Sequence, residues 1–219
     1  MRAIYTPELT LKDYLVIDHD CWGRANGVNL QMVETPIAMQ PTDAIRAQWK
    51  GRKHGVVTQA RLAALHNGTV LGFRLEWADA SVDERIVDND QFVDAAAIML
   101  PSVPKAPILL MGQKGAPVNA WYWRADEGVD GRNIVSEGYG TTRTVTPKTV
   151  ICNQQWRKGT WSVVITRALA LKTSEPIAQM KPAEQLPYGV AIWEGGNQER
   201  AGIKSFALSI EDLILDAAS

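Results

Sequence analysis

The stretch VVTQARLAALHNGTVLGFRLEW, residues 56–77, decides the fold. Its first half runs from Val56 through Leu62 to His66-Asn67-Gly68, where Asn-Gly supplies the positive backbone angles of a tight reversal. Its second half alternates, with Leu71, Phe73, Leu75 and Trp77 on one side and Val70, Gly72, Arg74 and Glu76 on the other. A period of two with one apolar face predicts a β-hairpin lying on a core. A second hairpin is expected over residues 150–167, turning at Arg157-Lys158-Gly159. Further strands are read at 95–100, 118–123, 134–145, 190–193 and 205–210. Short strands parted by Gly, Pro and Asn turns predict a mainly β chain, an antiparallel β-sandwich with a few short helices. Helical turns are expected at 41–49 and at 174–184, the second interrupted by Pro176 and Pro182. With no repeat, low-complexity tract or composition break, residues 1–219 are expected to form a single domain. Its first fifty residues would be an edge strand or a partner-contacting arm.

The charge balance, 23 basic against 24 acidic side chains, offers no basic field for nucleic acid or anionic lipid. No segment approaches the roughly 18 apolar residues of a membrane span. The start, Met1 to Glu8, moves straight into charged residues and shows no export signal. Cys21 and Cys152 belong to no Cys-x-x-Cys or Cys-x-x-Cys-His pattern, which excludes zinc, iron–sulfur and covalent c-type haem sites. Two separate buried thiols are the simpler reading of them. The three histidines lack zinc spacing, with His19 in Asp18-His19-Asp20 read as loop, and neither a Gly-x-Ser-x-Gly elbow nor a phosphate-cradling glycine loop occurs.

Four pieces in order, Ala64-Leu65-His66-Asn67-Gly68, Phe92-Val93-Asp94, Pro117-Val118-Asn119-Ala120-Trp121-Tyr122-Trp123 and Ala191-Ile192-Trp193, carry a resemblance running from about Gly55 to about Ile210. Together they resemble the gamma subunit of ethylbenzene dehydrogenase and its relatives, the haem b subunits of periplasmic molybdenum enzymes of the dimethyl-sulfoxide-reductase group. The resemblance implies that a methionine and a lysine bind the haem iron from opposite sides. Met99, in an apolar strand closed by Pro101, is the preferred thioether, and Met111, in the Leu-Met-Gly before Pro117, is its rival. Lys204, between Gly202 and Ser205, is the implied nitrogen ligand. A thioether favours ferrous over ferric iron, and a nitrogen on the other face leaves a six-coordinate, electron-shuttling centre. Lysine binds only as the free amine, so a proton with an ordinary pKa of about 10.4 must be displaced and Lys204 must be buried. Trp121 and Trp123 are candidates to line the porphyrin, in competition with a role in the inter-sheet core. Asn119 and Arg124 are candidates to hold the propionates or to turn the backbone, and Arg200 and Lys114 are weaker candidates for the propionates, in competition with solvent exposure. Without the resemblance, Met99 reads as core filler and Lys204 as a solvated lysine.

The implied function is that of a b-type cytochrome subunit with no reaction of its own. It would relay electrons between an iron–sulfur (beta) subunit and a soluble external acceptor, in a heterotrimer whose molybdopterin (alpha) subunit carries the catalysis. Anaerobic hydroxylation of a hydrocarbon or sterol, or oxyanion reduction in other relatives, is the implied reaction. The resemblance also implies a periplasmic location, reached with a partner that carries the export signal. A competing reading is a carbohydrate-binding β-sandwich whose eight tryptophans form a sugar-stacking platform. Such a module would expose its aromatics on one face and need no buried methionine and lysine.

Overall fold

The computed structural model describes every residue except Pro147, Ser209, Ile210, Glu211 and Ser219. In chain order the strands are β1 (Arg2–Tyr5), β2 (Val28–Gln31), β3 (Val33–Glu34), β4 (Gln59–His66), β5 (Val70–Ala78), β6 (Ala95–Pro101), β7 (Val118–Arg124) and β8 (Arg132–Ser136). They continue with β9 (Arg143–Val145), β10 (Ile151–Trp156), β11 (Thr160–Ala168), β12 (Gln185–Leu186), β13 (Gly189–Trp193), β14 (Ser205–Leu208) and β15 (Leu213–Leu215). Two short α-helices, α1 (Leu11–Tyr14) and α2 (Asp43–Trp49), complete the regular structure with a few 3₁₀ turns.

The strands form two sheets. One runs β10-β11-β5-β4-β1-β15-β12 with β2 also on β4, and the other runs β3-β14-β13-β6-β7-β8-β9. Every pairing is antiparallel except those of β1, which lies parallel to both β4 and β15. The chain is therefore mainly β, and the sandwich expected from the strand pattern is the architecture observed.

The inner faces meet in an aromatic core. Leu71, Phe73, Leu75 and Trp77, the apolar side of β5 read from the alternation, are all buried there. Trp77, Trp123 and Trp161 form a triangle with ring centroids 5.1–6.3 Å apart, and Phe73 meets Trp121 edge-on at 5.6 Å. Edge-to-face packing at these distances adds to what area burial alone contributes. The outer face of the first sheet is covered by the N-terminal segment, where Tyr14, Trp22 and Cys21 pack on Ala63, Leu65 and Val164.

Both expected hairpins form. At the first, Gly68 has φ +89° while Asn67 acts through its side chain, whose Oδ1 accepts from the Thr69 and Val70 amides. At the second, Lys158 and Gly159 have φ of +52° and +76°, the paired left-handed residues of a twist-matched two-residue turn. Two expectations need correction. Residues 134–145 are not one strand, because Gly138-Tyr139-Gly140 turns the chain between β8 and β9. Residues 174–184 form no helix, and run irregularly so that Ile177, Ala178 and Met180 can bury their side chains. Within the first fifty residues, β3 is an edge strand of the second sheet, while β1 lies inside the first. Of the strand expected at 205–210, positions 209 and 210 lie outside the described residues.

Cys21 and Cys152 are separate, buried thiols. Phe73 is fully buried against Trp121. Phe73→Ala is expected to destabilise the chain by about 3–5 kcal/mol in denaturant unfolding, through lost transfer energy and the cavity left behind.

Candidate functional site

The outer face of the second sheet is not covered like that of the first. Because side chains alternate along a strand, Ala97 and Met99 of β6, Ala120 and Tyr122 of β7, and Ala191 and Trp193 of β13 point outward together. Three of these six residues are alanines, and together they floor a cavity of about 430 Å³, within the usual size of a small-molecule or cofactor site. Gly189 extends that floor, and a Cβ there would stand 2.8 Å from Ile108 Cγ2, so the glycine admits the 3₁₀ turn that forms one wall.

That turn, Ile108–Leu110, ends on Met111 in the left-handed conformation (φ +55°, ψ +39°). Gly112 follows at φ +84°, where any Cβ would stand 2.5 Å from the Ser136 carbonyl oxygen. Met111 is thus held by backbone geometry and aimed across the cavity. The opposite wall is the segment leading into β14. Thr35 Oγ1 donates to the Gly202 carbonyl at 2.6 Å, Gln40 Nε2 donates to the same oxygen at 3.0 Å, and the Trp193 indole donates to the Ala201 carbonyl at 3.0 Å.

These anchors present Lys204 to the cavity. The side chain is only 5 % exposed, and Nζ lies 4.0 Å from Met111 Sδ, 3.4 Å from the Ala201 carbonyl oxygen and 5.2 Å from the Trp193 ring centre. Among the described residues no carboxylate pairs with it, and burial alone draws its pKa down to about 8. A lysine in this position sheds its proton readily and leaves a lone pair facing a sulfur. The donor separation is close to the sum of ordinary metal–sulfur (about 2.3 Å) and metal–nitrogen (about 2.0 Å) bonds. The donor set and the flat, apolar floor therefore fit an iron porphyrin.

The sequence-predicted residues divide sharply. Met99, Met111 and Lys204 come together around the cavity, and it is the Met111 sulfur that stands beside the amine, whereas Met99 packs in the wall with Ala106 and Val118. Asn119, Trp121 and Trp123 do not reach it, which corrects the expectation that they line a cofactor. They occupy the alternate positions of β7 and face the inter-sheet core. There Asn119 Nδ2 donates to Asn133 Oδ1 and the Ile134 carbonyl, while its Oδ1 accepts from Arg167, the Trp121 indole and the Ala178 amide. Trp123 donates to Gln154 at 2.7 Å. Arg124 pairs with Asp126, while Lys114 and Arg200 are exposed, Arg200 lying over the Phe92 ring. His19 caps a 3₁₀ turn by accepting from the Cys21 amide.

Residues passed over by sequence reasoning also shape the site. Tyr122 stands on the floor, its phenol pushed up to about 12 by burial. Thr35 and Gln40 anchor the lysine segment from within the first fifty residues, flanking Pro36 and Pro41, whose rigid turn was the one available signal.

With the geometry in view, the chain belongs to the ethylbenzene dehydrogenase family, whose profile matches residues 19–150. It is 37 % identical over 139 residues to the gamma subunit of chlorate reductase from Ideonella dechloratans, covering 62 % of this chain and 56 % of that one. It is 31 % identical over 174 residues to a Haloferax mediterranei chain described as a respiratory nitrate reductase heme subunit, covering 79 % and 60 %. A third relative is the gamma subunit of dimethylsulfide dehydrogenase from Rhodovulum sulfidophilum, 26 % identical over 88 % of this chain and 72 % of its own. The match thus spans somewhat over half the length of the first two relatives. Among solved structures, a family 9 carbohydrate-binding module from Caldicellulosiruptor kristjanssonii superposes with a TM-score of 0.52 at 9 % identity, over 100 % of this chain and 96 % of that one. At that identity the likeness is one of fold alone. The tryptophans support no sugar platform either: six of the eight are buried and the other two, Trp156 and Trp193, are half-buried.

The buried amine dictates a pH response in the ligand-free protein. Below about pH 8 Lys204 is protonated in both folded and unfolded chains, and the cost of burying its charge is fully present. Between about 8 and 10.5 only the unfolded chain holds the proton, so this contribution to stability rises with pH. Lys204→Met is therefore expected to be more stable than wild type at pH 7, by on the order of 3 kcal/mol at most, with the difference shrinking by pH 10.5. Parallel denaturant curves at several pH values check this.

Proposed function

We propose that this chain is the haem b subunit of a molybdenum oxidoreductase, with Met111 and Lys204 as the axial ligands of the iron. The observation that carries the reading is the Lys204 amine, which meets no carboxylate among the described residues and is buried 4.0 Å from the Met111 sulfur over a mostly apolar floor. Membership of the ethylbenzene dehydrogenase family supports it, as does the description of one relative as a heme subunit. When bound, haem supplies one-electron exchange between ferric and ferrous iron. Lys204 gives up its proton on binding, because its surroundings already disfavour the charged form. Met111 contributes a neutral, soft donor that favours the ferrous state and so raises the potential. Trp193 and Tyr122 flank the site and exclude water. If Met111 and Lys204 both held the haem iron, no position would be left for a substrate and the subunit would act as a relay.

The relatives' subunit names support a multi-subunit assembly, for which we propose the following partners. Electrons pass between an iron–sulfur (beta) subunit and a soluble acceptor, and the molybdopterin (alpha) subunit transforms the substrate in a heterotrimer located in the periplasm and exported with a signal-bearing partner. The relatives are named for chlorate reduction, nitrate reduction and dimethylsulfide oxidation, and the motifs resemble those of a hydrocarbon or sterol hydroxylase. One relay serves any of these reactions, since the substrate meets another chain. Purification from the native host with mass spectrometry of the associated subunits checks this assembly, and recovery of the chain alone would argue against it.

Reconstitution with haem b tests the ligands. Wild type is expected to give a low-spin, six-coordinate spectrum in both oxidation states. Lys204→Ala and Met111→Ala should lose it, while Met99→Ala should retain it. An unchanged spectrum for Lys204→Ala would end the assignment, and loss with Met99→Ala alone would return the thioether role to Met99. Met111→His, which trades a soft donor for an imidazole, is expected to lower the reduction potential measured by redox titration.

A further inference from the structure

Away from the cavity, at the ends of β5, β6 and β13, three carboxylates converge. Asp79 follows β5, Asp94 precedes β6 and Glu194 follows β13, and one oxygen of each lies within 4.8 Å of the others. Asp79 is 6 % exposed and Asp94 fully buried. Asp83 and Ser81 close the group: Ser81 Oγ donates to Asp83 Oδ2 at 2.8 Å and approaches Glu194 Oε1 at 3.5 Å. The charges that bear most on Asp79, Asp94 and Glu194 are other carboxylates, namely one another, Asp83 and Glu199. Buried like charges with no cation are costly, and proteins neutralise them with a proton or a metal.

Of the fully buried carboxylate oxygens in this cluster, one is left over. Asp94 Oδ1 accepts from the Gly195 amide, and its Oδ2 accepts from the Asp83 amide and the Trp161 indole. Glu194 Oε2 accepts from the Asn197 amide, and Asp79 Oδ1 accepts from the Ser81 amide. Asp79 Oδ2, in a side chain more than nine-tenths buried, has no partner. The Trp77 indole N–H approaches that carboxyl without a hydrogen bond of acceptable geometry, and is itself left without an acceptor. Gly196 lets the chain pass close against the group: a Cβ there would stand 2.9 Å from Asp83 Oδ2, 3.0 Å from Glu194 Oε1 and 3.3 Å from Ser81 Oγ.

We propose that Asp79, Asp94 and Glu194, with Ser81 and Asp83 beside them, form a Ca²⁺ site. All donors are hard oxygens, and Ca²⁺ accepts six to eight of these, some from water, at about 2.3–2.6 Å in irregular geometry. Two such bonds reach across roughly 5 Å, which accommodates oxygens lying within 4.8 Å of one another, whereas Mg²⁺ demands a near-ideal octahedron and gives up its water reluctantly. The ion ties residues 79–94 to the turn after β13, joining the two sheets at one end. Glu194 also opens the segment that ends at Lys204, so the ion braces one wall of the cavity. The proposal is independent of the haem assignment, because its readouts require no haem.

The full chain is stripped with a chelator, exchanged into Ca²⁺ or Mg²⁺, and examined by elemental analysis and thermal unfolding. One Ca²⁺ per chain is expected to survive desalting, and Ca²⁺ at about 100 times its Kd should raise Tm by about 5–10 °C. Mg²⁺ should shift it far less. Asp79→Asn should bind no Ca²⁺ and show no shift, yet its metal-free form should be at least as stable as metal-free wild type, since a repelling charge is gone. If Asp79→Asn fails to fold, Glu194→Gln at the half-buried position is the alternative and should abolish the shift. Absence of bound Ca²⁺ in wild type, an equal response to Mg²⁺, or a full Ca²⁺ shift in a folded variant overturns the site.

Discussion

An amine taken out of water, with no carboxylate among the described residues to answer it, is the constraint around which the outer face of the second sheet is arranged. Such a group is expensive as an ammonium, and Lys204 is held there by contacts that do nothing to neutralise it: a carbonyl, a thioether and an indole face. The neighbouring features serve that placement. Thr35 and Gln40 fix the carbonyls just before it, Met111 is locked in a left-handed backbone state, and the small residues of β6, β7 and β13 keep the space between open. A cofactor that takes the lone pair converts the cost into binding energy, because the site is already desolvated and needs little reorganisation.

The two sheets divide the labour. The first is covered on its outer side by the N-terminal segment, and the inner faces lock together through Trp77, Trp123 and Trp161, which leaves the outer face of the second sheet free to carry a site. Arg167 shows how the core handles polarity. It is buried over Trp121, donates to Asn119 and the Ala178 carbonyl, and is drawn down to about 10 by desolvation. Asn119 is the hub of that network, so its place in the Pro-Val-Asn-Ala-Trp stretch provides support from behind the floor.

Much of this was legible in the residues. The Asn67-Gly68 hairpin and the side chains it sends inward followed from a period of two, because local turn chemistry and burial agree there. Met111 and Lys204 were identifiable as candidates, and Lys204 as necessarily buried. What failed were questions of facing and of distance. Trp121 and Trp123 alternate with Tyr122, and the motif does not say which face of β7 is the core. That depends on Phe73, Trp77 and Trp161 in the other sheet. Met99 sits in the more strand-like context, but its position on β6 puts it beside Ala120 and Gly189, while the 3₁₀ turn carries Met111 over the floor to the amine. The irregular path of residues 174–184 likewise answers to burial of Ile177 and Met180, a tertiary demand that local propensity does not report.

The parallel insertion of β1 between β4 and β15 has a temporal consequence. Arg2 and Ala3 pair with Ile214 and Leu215, and the Met1 amine donates to the Asp212 carbonyl across 211 positions of chain. During synthesis that strand can lie along β4, but its other edge has no neighbour until β15, about 210 residues further along, has been made. Contacts of such high contact order form slowly, and an open strand edge invites pairing with other chains. The folding molecule therefore passes through an aggregation-exposed stage that ends only when β15 reaches β1.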